Sequence, residues 1–209
     1  MTHRVRSWKH LRALIESGTF GPEHLFYLAR RRTPESVALL VRLRQEATLA
    51  GADALWLNVV LDLVDGGYEK LWQWTNTKKR LKFALGVVSE VRGEGSVDFL
   101  VELLRSRPTL QVDSTYVGAV NLVLSFKGAP IVTESQRAFL EEKLLEGLRR
   151  AKGDTALGGY HCALRGVGGG PALSVLGAAR DLGRPYDGVR QLALRAIKQR
   201  MSRGQTGDG

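Results

Sequence analysis

Asn58, Asp62 and Asp65 are the one cluster in this 209-residue sequence whose residue types and spacing could do acid–base work. They fall at i, i+4 and i+7, which on a helix makes one narrow polar stripe. Catalysis by such a stripe needs a cleft and a neighbour that shifts one carboxylate's pKa, and the flanking sequence offers neither. The stripe therefore reads as a solvated edge, or as a ridge satisfied by neighbouring backbone.

A second chemistry is written into Trp72, Trp74, Lys78, Lys79, Arg80 and Lys82. Cations neutralise phosphates or carboxylates, and aromatic rings stack on bases, so the two side by side suit an anionic partner. The competing reading packs both tryptophans as core and leaves the cations to solvate a helix start, because large aromatics are usually buried. His3, His10, His24 and His161 are scattered, with no i, i+4 pair to hold a metal. His161 and Cys162 are adjacent, and neighbours on a helix point in different directions, so they do not make a base and nucleophile. Gly166-Val167-Gly168-Gly169-Gly170 follows a helical pattern rather than a strand and has no lysine with serine or threonine behind it. It reads as an interhelical turn rather than a phosphate cradle. Neither a metal nor a cofactor is expected.

The elements that position these residues are helical throughout. Val5, Trp8, Leu11 and Ile15 keep to one side of a first helix that stops at Gly18. Pro22 suits the first turn of a second, which ends in Arg30-Arg31-Arg32, and Thr33-Pro34 caps and opens a third. Ala52 to Val64 is apolar nearly all round, the mark of a helix with neighbours on several sides, and Gly66-Gly67 ends it. The tryptophans then form a short helix or turn, with Thr75-Asn76-Thr77 offering caps for the helix from Lys78. That helix breaks at Arg92-Gly93-Glu94-Gly95; Ser96 is expected to cap the next, which runs to Pro108. A further helix starts at Ser114 and ends by Lys127-Gly128-Ala129-Pro130, and Thr133 with Gln136 makes a capping box for a long one. Leu157 to Val167, Leu173 to Ala179 and Val189 to Ile197 stripe the last three. No stretch alternates with period two, so the fold is expected to be all-α.

Charge bears on the partner. The net charge is +10 and the pI near 10.1. Basic residues outnumber acidic ones by nine to four over residues 1–50 and again over 151–209, and are nearly balanced between. An excess gathered at the two ends fits attraction to an anionic partner, nucleic acid or acidic protein. Hydrophobic residues at 44% and charged residues at 25% are ordinary for a folded soluble chain. With one cysteine no intrachain disulfide is possible, and the N-terminus has no apolar run behind its basic residues, so it does not read as a secretory signal. Ala54 to Val64, the most apolar stretch, is far below the roughly 20 residues that span a bilayer. A cytoplasmic protein without a membrane partner is expected.

Small-apolar pairs recur at Ala84-Leu85, Ala119-Val120, Ala163-Leu164 and Ala193-Leu194, at intervals of roughly 30 to 45 residues, the range of two-helix repeats. With Cys162-Ala163-Leu164-Arg165-Gly166-Val167-Gly168, then Ala172-Leu173, then Val189-Arg190, the chain resembles the HEAT-like, armadillo-type α-helical repeat superfamily. The resemblance covers about residues 78–201. It departs from the family in the long helix from Glu134 to Arg150 and in Asn121, which sits inside an apolar helix. It implies an α-solenoid of antiparallel helical hairpins with degenerate repeats, whose second helices line a concave binding face, and it implies no chemistry. The expected organisation is one elongated domain over 1–201, with irregular helices in 1–77, hairpins in 78–201 and a flexible tail at 202–209.

The expected function follows from both lines: a non-enzymatic binding protein, an adaptor or inhibitor, that engages an acidic protein partner through its concave face. The alternative is a basic solenoid that binds the DNA or RNA backbone. Arg165, Arg190, Arg195 and Lys198 are the residues of the last stretch expected to add to a basic face.

Overall fold

The structure is a computed structural model that describes residues 8–46, 51–107, 113–124, 131–179, 183 and 185–205. Arg4 and Val5, Pro108, the stop from Lys127 to Pro130 and the end of the tail lie outside the described residues. Among those described, every regular element is a helix: α1 (Trp8–Glu16), α2 (Pro22–Arg31), α3 (Pro34–Glu46), α4 (Gly51–Leu71), α5 (Lys78–Val91), α6 (Ser96–Ser106), α7 (Ser114–Leu124), α8 (Glu134–Arg150), α9 (Asp154–Val167), α10 (Gly170–Ala178) and α11 (Tyr186–Gln205). A 3-10 turn, Trp72–Thr75, joins α4 to α5. No helix is long and apolar enough to cross a membrane among the described residues. The helix begun at Tyr186 continues past Ser202 to Gln205, so the expected tail starts in helix.

The chain divides into two compact units, Met1–Val91 and Arg92–Gly209, where the sequence suggested one elongated domain. In the first, α2 packs on α3, α4 and α5, and α4 on α3 and α5. Thr33 caps α3, its Oγ1 accepting from the Ser36 amide at 3.3 Å, with Pro34 at the first helical position. His24 closes the start of α2 by accepting from the Gly21 amide at 2.9 Å through Nδ1. Leu57, Val59, Val60, Leu61 and Leu63 are all buried, as an all-round apolar helix requires. Gly67 sits at φ 63°, a backbone only glycine takes readily, and breaks α4 there. The Trp56 ring lies edge-on to Phe26 at 5.2 Å and to Phe83 at 4.6 Å, tying α4 to α2 and α5.

In the second unit α7, α9 and α11 lie side by side in the same direction. Gly159 faces Val117, and a Cβ built on Gly166 would meet Leu124 Cβ at 2.8 Å, so α7 and α9 run in register. Gly158 faces the Tyr186 ring and Gly168 faces Ile197, so α9 and α11 do likewise. α8 runs antiparallel to α9: Gly147 lies against Tyr160, while Glu141 and Arg137 reach Gly169 and Gly166. Tyr116 donates its hydroxyl proton to the Leu100 carbonyl at 2.7 Å, and Gln136 bonds Asp98 at 2.5 Å, joining α6 to α7 and α8. Tyr116 is fully buried, and that burial raises its phenol pKa.

The glycine run between α9 and α10 is an interhelical turn, and its polar groups are satisfied by distant side chains. Arg137 donates to the Gly166 carbonyl at 3.1 Å, and Arg200 to those of Arg165 at 3.2 Å and Gly168 at 2.7 Å. These are the orphan carbonyls of a helix C-terminus, where cations are favoured. Across the turn, buried Glu141 accepts from the amides of Gly169 at 2.8 Å and Ala172 at 2.7 Å, filling the N-terminus of α10 with an internal anion. A phosphate has no place there.

Candidate functional site

Two features that stand apart in the sequence meet at one junction. Asp62, on the buried helix α4, reaches the 3-10 turn: its Oδ2 accepts from Trp74 Nε1 at 2.7 Å and from Gln73 Nε2 at 3.1 Å. Lys70 donates to Asp65 Oδ2 at 2.6 Å and lies 3.5 Å from Asp62 Oδ1. The Lys70 hydrogen bond holds the Asp65 carboxyl below its ordinary pKa, and the same bond raises that of Lys70. Both groups are exposed, so the pair adds little stability. Asn58 is half-buried one turn before Asp62. The polar stripe is thus a latch on the tryptophan turn: Asp62 spends one oxygen on an indole and an amide.

Trp74 is only 7% exposed, and the Arg80 guanidinium lies 5.6 Å from its ring centre. Its faces and N–H are therefore occupied within the chain, and the residue packs as core, as the structural alternative expected. Trp72 is half-buried. Thr77 caps α5, its Oγ1 accepting from the Arg80 amide at 3.2 Å.

Lys78, Lys79, Arg80 and Lys82 are exposed in the opening turns of α5. The first turn holds no acidic residue, and no described ion pair involves these four. A helix N-terminus carries the positive end of the helix dipole, so cations there are in an unfavourable field. Lys78 and Lys82 are also like charges at i, i+4. The first turn of α5 thus gathers like charges with no acidic side chain of its own to offset them. An anion bound here relieves the repulsion.

The basic residues of the last stretch separate on inspection. Arg195 and Lys198 are exposed on α11 and Arg165 is half-buried. Arg190, expected on an open face, is 9% exposed: it pairs with Asp187 at 2.5 Å and donates to the Ala179 carbonyl, tying α11 to the end of α10. Its place follows from the sequence Tyr186-Asp187-Gly188-Val189-Arg190, which puts carboxylate and guanidinium at i, i+3. Among the described residues no group of three or more His, Cys, Asp or Glu side chains could hold a metal ion. Sequence reasoning missed Arg137, Glu141 and Arg200 as the residues that complete the glycine turn; the only available signal was a charged residue on the apolar stripe of α8. No family model, no curated protein and no solved structure matches the chain.

Proposed function

We propose that this chain is a non-enzymatic helical-repeat protein that binds an acidic surface of a protein partner, with the opening turns of α5 as the contact. One observation carries the proposal: Lys78, Lys79, Arg80 and Lys82 are crowded and exposed at a helix N-terminus without a compensating acid. Such an arrangement costs the isolated fold stability and is offset when carboxylates dock against it, which favours both affinity and fast encounter. The side-by-side run of α7, α9 and α11, with α8 antiparallel, supports the HEAT-like solenoid reading. A cytoplasmic setting belongs to the same proposal.

The DNA or RNA backbone is the second reading, favoured by the same cations. Burial of Trp74 weakens it, since base stacking on that ring is lost. A pull-down from cell lysate with and without nuclease separates the two. An acidic protein should be retained in stoichiometric amount after nuclease, and lost when Lys78, Lys79, Arg80 and Lys82 are all changed to Ala. Release of the bound material by nuclease, or a partner indifferent to the four substitutions, overturns the protein-binding reading. Robust catalytic turnover by the purified chain would overturn the non-enzymatic one.

A further inference from the structure

A cavity of about 650 Å³ lies between α7, the start of α9 and the loop that joins α8 to α9. It exists because the facing positions of the two helices lack large side chains. A Cβ on Gly118 would meet nothing within 4 Å, and the nearest atom to one on Gly159 is Val117 Cγ1 at 3.8 Å. Val117, Ala151, Ala156, the Tyr160 ring and Cys162 supply much of the wall. Burial raises the pKa of both the Cys162 thiol and the Tyr160 phenol, so the two stay neutral. Folded interiors are otherwise close-packed, and a space of this size with apolar walls is what small-molecule sites share.

The charges around the cavity select its ligand. Lys152 and Asp154 are the charged residues of the lining, opposite in sign and both exposed. Beyond the lining, Arg150 and Asp113 act on the Tyr160 hydroxyl in opposite directions. Neither an anion nor a cation finds a net countercharge here, and a charged group that entered would give up its water without a partner to replace it. Asn121 points the same way: it lines the space, but its Oδ1 is shut off from water and offers a ligand no acceptor. What remains is the gain from covering apolar walls with apolar surface. We propose that this cavity binds a neutral, apolar molecule with a ring-sized body, held by burial of its hydrocarbon surface and not by an ion pair. The site shares no residue with the α5 contact, so either proposal can fail without the other.

The probes for the test are N-phenyl-1-naphthylamine, which is neutral, and 8-anilinonaphthalene-1-sulfonate, which adds one anion to the same rings. In fluorescence titrations of the full chain the neutral probe should bind saturably at one site, and the sulfonate about tenfold more weakly. Gly118→Leu, which fills the cavity, should abolish this binding. Asn121→Leu, which puts an apolar group of similar size in the lining, should hold the neutral probe at least as tightly as the parent. Asp154→Asn leaves Lys152 unopposed and should strengthen the sulfonate several-fold while the neutral probe stays unchanged. Asp154 is exposed, so that variant keeps the fold and decides the matter even if Gly118→Leu does not fold. Amide resonances of Gly118, Gly159 and Cys162 should move with the midpoint of the titration. The proposal is overturned if the neutral probe shows no saturable binding, if the resonances that move lie outside the cavity, or if Gly118→Leu folds and binds as the parent does. It is equally overturned if the sulfonate binds as tightly as the neutral probe, if Asp154→Asn changes both probes alike or neither, or if Asn121→Leu loses the neutral probe.

Discussion

Asp62 decides how the tryptophan turn is held. Asp62→Ala removes the acceptor for Trp74 Nε1, leaving an indole N–H in a largely buried position, and should cost about 1–3 kcal/mol in urea unfolding. Tryptophan emission should shift to the red as the ring loosens, and Asp62→Asn, which keeps an acceptor oxygen, should lose less. An unchanged unfolding midpoint in Asp62→Ala would mean the latch is idle. His161, 2% exposed on α9, gives a pH dependence. Burial first, then Arg190, lowers its pKa below the usual histidine value near 6.5, against an opposing pull from Asp187. The unfolded chain then takes up the proton more readily than the folded one, so stability falls as pH drops below about 6.5. Between about pH 7.5 and about pH 5.5, the urea midpoint of the parent should fall more than that of His161→Phe; equal falls would exclude the histidine as the cause. At this scale the sequence located the polar stripe but not its use. Asp62 and Trp74 are twelve residues apart, and only the break at Gly67 brings them together.

Helix starts were the most legible elements, because a cap is a local hydrogen bond between residues three apart. Thr33 with Pro34, Thr77, and Thr133 with Gln136 all sit where the sequence put them. One start differs. Gly95 rather than Ser96 is the N-cap of α6, at φ 83°, and Ser96 is buried inside the first turn. α7 begins at Ser114 as its sequence indicates, and Asp113 before it does the capping, its Oδ1 accepting from the amides of Thr115 and Tyr116. The glycine turn supplies the prediction at this scale. A Cβ at Gly168 would lie 2.7 Å from Ile197 Cδ1 and from the Leu164 carbonyl, whereas one at Gly170 meets nothing within 4 Å. Gly168→Ala should therefore cost about 1–3 kcal/mol, and Gly170→Ala should be neutral or stabilising by up to about 1 kcal/mol, read as thermal midpoints. Equal midpoints for the two variants would contradict the packing.

For the molecule as a whole, the all-helical character and the helix order were legible because every apolar stripe has a period near 3.6. The division after Val91 was not. The break at Arg92-Gly93-Glu94-Gly95 looks like any hairpin turn in sequence, and only the sets of packed partners place α5 with α2 and α4. Net charge was legible in amount but less so in availability. The same set of basic residues contains Lys78 and Lys79, which face solvent, and Arg190 and Arg200, which are spent on carbonyls and a carboxylate inside the second unit. An arginine beside a glycine turn is ambiguous from sequence, because its long side chain serves backbone and solvent equally well.

The closure of the glycine turn also has a kinetic side. Its bonds join residues 28 to 35 positions apart, from α8 before it and α11 after it, so they can form only once both helices have docked. Each must first overcome loop-closure entropy, so these polar contacts are expected to be made after the barrier to folding has been crossed. Glu141→Gln and Arg200→Met are accordingly expected to speed unfolding while leaving the refolding rate nearly unchanged in stopped-flow measurements. Slower refolding would instead put the turn inside the folding nucleus. Late closure makes these residues a brake on unravelling: they lengthen the lifetime of the folded second unit without helping the chain to reach it.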